Sequence, residues 1–134
     1  MDPHAAAHFT DLITLAQTAF FQVEHSTDIT PERAILRLRA RYGRYRVLVT
    51  ELLSEGMRKY SYYVLDADRI EVGFDNTPDP RALQISYGRR AREYTGEPIP
   101  HVHREDKALL SLTGEMAFAD FLNWLRSNVT ANSA

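Results

Sequence analysis

The sequence predicts an α+β domain, a twisted antiparallel sheet of four to six strands packed by an N-terminal helical segment and a C-terminal helix. Two observations carry that expectation. Between residues 44 and 74, three runs rich in valine, tyrosine and leucine are separated by short turns, the mark of an antiparallel meander. At the two ends, apolar residues recur at helical spacing instead: Phe9, Leu12, Ile13, Ala16, Ala19 and Phe20, then Phe118, Phe121, Leu122 and Leu125. A chain of 134 residues, 44% hydrophobic and 25% charged, suits one domain able to bury a core without staples. Its parts are expected as a helical segment over 1–33, the sheet over 34–107, and a helix and tail over 108–134.

The first helix spans 3 to about 22, with Asp2 as N-cap and Pro3 at the first helical position. "EHSTDIT" then reads as a polar connection. "TPERAILRLRARYG" is ambiguous: Thr30, Pro31 and Gly43 punctuate a helix, while Leu36, Leu38 and Ala40 alternate with Arg37, Arg39 and Arg41 as in a strand. A strand over about 34–41 is expected. "RYRVLVTELL", "RKYSYYVLD" and "RIEVGF" are the meander, and two prolines in "DNTPDP" end its third strand. "RALQISYG" (81–88) is taken as a further strand and "RRAREYTGEPIP" as a mobile basic loop. "HVHRED" and "KALLSLT" follow, the first as a last strand. The closing helix runs from about 115 to 127, and "SNVTANSA" should fray.

The chain has no cysteine, which excludes disulfides, thiolate zinc sites and a cysteine nucleophile, and suits a reducing cytoplasm. No basic n-region precedes the first apolar residues, and no run approaches ~18 apolar residues, so neither a signal peptide nor a membrane partner is expected. The net charge of −2 hides a pattern. Residues 1–33 carry Asp2, Asp11, Glu24, Asp28 and Glu32 against Arg33 alone. Basic residues then dominate 34–60, and "RRAR" adds Arg89, Arg90 and Arg92. Such patches bind anionic ligands, or simply solvate a sheet face.

Chemistry concentrates in "PHVH". On an extended segment His101 and His103 point the same way, their attachment points roughly 7 Å apart. They can serve as a general acid and base, clamp a divalent metal with Asp75 as third ligand, or stand as two exposed polar residues. Asp75-Asn76 at a strand end before Pro78 has the composition of a turn, and serves the histidines only if the two segments meet. Tyr60, Tyr62 and Val64 share one face of their strand, and Ser61, Tyr63 and Leu65 share the other. One set is core, the other is free to stack bases, and Tyr62 is assigned to RNA. Arg37, Arg39 and Arg41 share one strand face and suit phosphates or an acidic protein. Arg104 and Lys107 lie close to the histidines in sequence. No phosphate-binding glycine loop, nucleophile elbow or dinucleotide fingerprint is present.

"KYSYYVLD", then "VGFDN" with a proline two residues on, a loop to "PHVH", and the apolar helix "FADFLNWL" together resemble the TumE-like proteins. These are small bacterial and archaeal toxins of type II toxin–antitoxin pairs, also described as a domain of unknown function. The resemblance covers roughly residues 34–128 in short pieces that occur in order. One departure stands out: many members carry a His-His pair where this chain reads Asp79-Pro80.

The resulting expectation is a toxin-like, metal-independent endoribonuclease requiring no cofactor. His101 and His103 act as acid and base, with Asp75 and Asn76 beside them. Arg37, Arg39, Arg41, Arg104, Lys107 and Tyr62 hold RNA. The resemblance implies a cognate antitoxin, a small helix-turn-helix protein, as partner besides RNA, and allows a homodimer. Two alternatives stand beside this: a non-catalytic RNA- or protein-binding module using the basic face, and a metal-dependent nuclease or hydrolase with Asp75, His101 and His103 as ligands.

Overall fold

The computed structural model describes residues 3–130, in which seven strands form one antiparallel sheet in simple sequence order. Helix α1 (Pro3–Ala19) leads into β1 (Phe21–Ile29), β2 (Arg33–Tyr42), β3 (Tyr45–Ser54), β4 (Met57–Asp66) and β5 (Arg69–Asp75). A helical excursion follows: α2 (Pro80–Tyr87) and a 3₁₀ segment (Gly88–Tyr94). The chain then returns through β6 (His101–Arg104) and β7 (Leu109–Leu112) to α3 (Phe118–Asn128).

The period-2 alternation decides which face is covered. Leu38, Val49, Tyr62, Phe74 and Val102 lie in one cross-strand row, and all are buried. Phe9, Leu12 and Ala16 of α1 and Phe118, Phe121 and Leu125 of α3 close over that face. Tyr62 stacks on Phe121 with ring centroids 5.2 Å apart. The opposite face carries Arg37, Thr50, Ser61, Asp75 and His101 in one row, and Arg39, Leu48, Tyr63, Gly73 and His103 in the next. Over that second face, α2 and the 3₁₀ segment pack at the β7 end, where Ala82, Leu83 and Ile99 form a small core against Leu110.

One buried polar group ties helices to sheet. The Glu51 carboxylate, fully buried on β3, accepts from the Tyr62 hydroxyl, from His8 Nε2 at 2.7 Å and from Arg58 at 3.2 Å. Arg58 also donates to the Met116 carbonyl at 2.9 Å, which holds the approach to α3.

The expected class stands, and four elements differ from expectation. The sheet has seven strands rather than four to six, because residues 21–29, expected in the helical segment, and residues 109–112, expected in the closing helix and tail, are both strands. α1 ends at Ala19, and Gln22, with φ 52°, sits in the bulge where the β1–β2 register shifts between Phe21 and Glu24. β1 then pairs with β2, its ion pairs Glu24–Arg39 and Asp28–Arg33 replacing an apolar face. Residues 81–88 are not a strand: Asp79 caps α2 by accepting from Arg81 N at 2.8 Å, and Pro80 takes the first turn. The expected basic loop is partly wound into the 3₁₀ segment. The Asp2 cap and residues 131–134 lie outside the described residues. Among the described residues, no helix is long and apolar enough to cross a membrane.

Candidate metal centre

Strand pairing builds the centre. β5 ends in Gly73-Phe74-Asp75 and β6 reads His101-Val102-His103, with Asp75 opposite His101 and Gly73 opposite His103. Both imidazoles and the Asp75 carboxylate therefore leave the sheet on the same side. The rings meet edge to face with centroids 4.7 Å apart and Nε2 atoms 3.1 Å apart. His101 Nε2 is 3.1 Å from Asp75 Oδ1, and His103 Nε2 is 3.5 Å from Asp75 Oδ2. From the α2 side, Asp79 Oδ2 stands 3.9 and 4.0 Å from the two Nε2 atoms.

The surroundings fix these groups. Thr77 donates from its backbone N (2.9 Å) and hydroxyl (2.7 Å) to Asp75 Oδ1, an Asx-type turn. The Tyr63 hydroxyl donates to Asp75 Oδ2 at 2.7 Å. Nδ1 of His101 donates to the Ile99 carbonyl at 2.7 Å, which leaves Nε2 as the inward lone pair of the neutral ring. That lone pair then faces a carboxylate oxygen and a second imidazole nitrogen. Arg81, a donor 3.4 Å from His103 Nδ1, fixes that nitrogen as the acceptor of the neutral His103 ring, so its Nε2 carries the proton and donates into this cluster. A cation bound there would take that proton's place and shift it to Nδ1.

Charge follows the geometry. Burial acts against ionised Asp75, but hydrogen bonds from His101, Thr77 and Tyr63 outweigh it and hold its carboxyl below the usual carboxylate range. Burial likewise opposes charge on His101, yet Asp75 and the Ile99 carbonyl raise its pKa overall. Burial and the neighbouring His101 lower that of His103. Burial and the Asp75 carboxylate push the Tyr63 phenol up, so it remains a donor.

Positive groups flank the centre. An Arg81 guanidinium nitrogen lies 3.4 Å from His103 Nδ1, and a second donates to the Lys107 carbonyl at 2.8 Å. The Lys107 ammonium sits 5.3 Å from the Tyr63 ring centroid. Glu105, Asp106 and Lys107 all adopt left-handed φ, so a strained turn places that lysine.

Of the residues singled out in the sequence, Asp75, His101 and His103 come together, with Lys107 beside them. Four assignments are corrected. The histidine rings are not exposed but 1% and 2% accessible, because Asp79 and α2 cover them. Tyr62 is core, since its row faces α3, and Tyr63 is the tyrosine at the centre. Asn76 binds β4 instead, its side chain accepting from Tyr60 N and donating to the Arg58 carbonyl. Arg104 pairs opposite Val72, on the face away from the rings. Arg37, Arg39 and Arg41 are exposed on the face shared with the centre, three strands away from Asp75.

Asp79 and Arg81 were missed. Asp-Pro followed by an apolar pair is a helix start, and reading it so would have put Asp79 beside the histidines. No protein-family model, curated protein or solved structure matches the chain, so the centre is interpreted from its own residues and geometry.

Proposed function

We propose that the protein is a divalent-metal-dependent hydrolase of phosphodiester bonds. The observation that carries this reading is the convergence of His101 Nε2, His103 Nε2 and an Asp75 carboxylate oxygen, one ligand atom from each lying within 4.8 Å of the others, with His101 3.1 Å from Oδ1 and His103 3.5 Å from Oδ2. A tetrahedral ion with bonds of about 2.0–2.1 Å has ligand edges of about 3.3 Å. Two imidazoles and a carboxylate without thiolate suit zinc or manganese. Asp75, His101 and His103 would hold a divalent ion, which would supply an activated water. Asp79, the most exposed of the four groups at 17%, would be placed to take that water's proton. Arg81 and Lys107 favour an anionic substrate. In such hydrolysis the water oxygen would bond to phosphorus as the ester P–O bond breaks, the departing oxygen taking a proton from solvent.

A metal-independent histidine pair is less well supported. In-line displacement puts the attacking and leaving oxygens on opposite sides of phosphorus, and so the base and acid as well. Two Nε2 atoms 3.1 Å apart leave no room for a phosphate between them.

The test is hydrolysis of bis(p-nitrophenyl) phosphate and of RNA by EDTA-treated protein reloaded with zinc, manganese or magnesium. Activity should return with zinc or manganese and fall at least about 100-fold in Asp75→Asn and His103→Ala. Full RNA cleavage in EDTA would return the chemistry to the histidine pair.

A further inference from the structure

The face that carries the metal centre does not end there. Residues facing one another across β2 to β6 project on the same side, so Arg37, Thr50, Ser61, Asp75 and His101 form one line. With strands ~4.8 Å apart, Arg37 on β2 lies roughly 14 Å from Asp75 on β5. The side chains between are Thr50 and Ser61, small and uncharged, so short side chains make a path along the row as far as the covered centre.

At the far end of that path, two hollows open on either side of Arg39. One, about 490 Å³, has Arg37 and Arg39 among its walls. The other, about 300 Å³, is walled by Arg39, Arg41 and Arg46. Leu48 lines both, half-buried, on the face opposite the helical layer. Among the described residues the side chains of Arg37 and Arg41 make no hydrogen bond or ion pair, while Arg39 is held by Glu24 and Arg46 by Asp68. The chain therefore sets apolar patches between guanidinium planes, with two of the cations uncommitted.

We propose that this face binds single-stranded nucleic acid and delivers it to the metal centre. The inference rests on the phosphodiester reading of that centre and names its substrate. Guanidinium planes stack on unpaired bases and grip phosphates, and Leu48 receives the edge of a base. A duplex keeps its bases stacked inside and offers these hollows only phosphates. An acidic protein would use the arginines but not the apolar floor.

The experiment is fluorescence anisotropy on the full chain in EDTA, so that binding is measured without turnover. The probes are labelled 12-nucleotide oligo-U RNA, 12-nucleotide oligo-T DNA and a 12-base-pair duplex, with unlabelled polyglutamate as competitor. Single strands should bind more tightly than the duplex, and a preference between RNA and DNA identifies the sugar. With three phosphate contacts, affinity should fall about 20-fold between 50 and 200 mM salt. The double variant Arg37→Glu/Arg41→Glu should weaken binding more than tenfold, and so should Leu48→Glu, with unchanged circular dichroism. Unaltered binding by the double variant, equal or tighter binding of the duplex, or displacement by polyglutamate at equal charge would each overturn the proposal. Failure of the metal reading shows separately, as absence of metal-dependent hydrolysis with single-strand binding intact.

Discussion

Tyr63 reaches Asp75 because its cross-strand neighbour is a glycine. A methyl group on Gly73 would stand 2.1 Å from Tyr63 Cε1, so the ring lies flat where only glycine admits it. Gly73→Ala should therefore cost about 1–3 kcal/mol, as overpacking does. Tyr63→Phe should cost about 1–2 kcal/mol, through the lost bond to a charged acceptor. Chemical denaturation checks both, and an alanine variant as stable as wild type contradicts the packing. The histidines make opposite predictions in EDTA. His103 has its pKa lowered, so it contributes stability above the ordinary 6.5 that is lost as pH falls from there. Wild type should lose stability relative to His103→Gln below pH 6.5. His101 has its pKa raised, so wild type should gain relative to His101→Gln on acidification, a gain lost as pH rises through its folded value. Urea unfolding from pH 5 to 8 reads both trends, and a pH-independent difference for either variant contradicts its assignment. At this scale the H-x-H spacing and the Asp-Asn turn were legible. The choice of Tyr63 over Tyr62 was not, because alternation gives two faces without saying which one the helices cover.

Among the elements, α2 does two jobs through one carboxylate. Asp79 Oδ1 caps the helix while Oδ2 faces the imidazoles. Asp79→Ala should lose about 1 kcal/mol of stability. Asp79→Ser keeps a capping oxygen and should recover most of that. Both should weaken metal binding about 10–100-fold, since neither returns the charge. Equal metal affinity in wild type and Asp79→Ser would confine Asp79 to capping. The same helix shows why local reading failed at 81–88: eight residues give too few turns for the helical period to appear. β1 failed for a different reason. Most of its residues are exposed, so it has no apolar alternation, and it is held by backbone pairing and by charges that only β2 supplies.

Across the whole molecule, the two faces of the sheet separate the packed core from the candidate site. The helix-covered face hides aromatic rings and the Glu51–Arg58–Tyr62–His8 group, whereas the open face holds the arginines and the metal centre. Removing Glu51 leaves the Tyr62 hydroxyl without its acceptor and takes the buried carboxylate from Arg58, which is partly exposed at 22% and keeps the Met116 carbonyl and Glu115. Glu51→Ala should cost about 3 kcal/mol in unfolding experiments, at the low end for a broken buried pair because of that exposure. A cost below about 1 kcal/mol would show that the group is not a clasp. The meander itself was legible from its alternating runs and turns. The centre was legible only as a pair of motifs, since the 25 residues from Asn76 to Pro100 fold into helices whose return path sets whether β6 lies beside β5. The most direct test of the account is calorimetric titration of EDTA-stripped protein with zinc and with manganese. The account predicts one ion per chain, with affinity reduced more than about 100-fold in His101→Ala, His103→Ala and Asp75→Asn. Absence of saturable binding by folded wild type, or binding that all three variants retain, would contradict it.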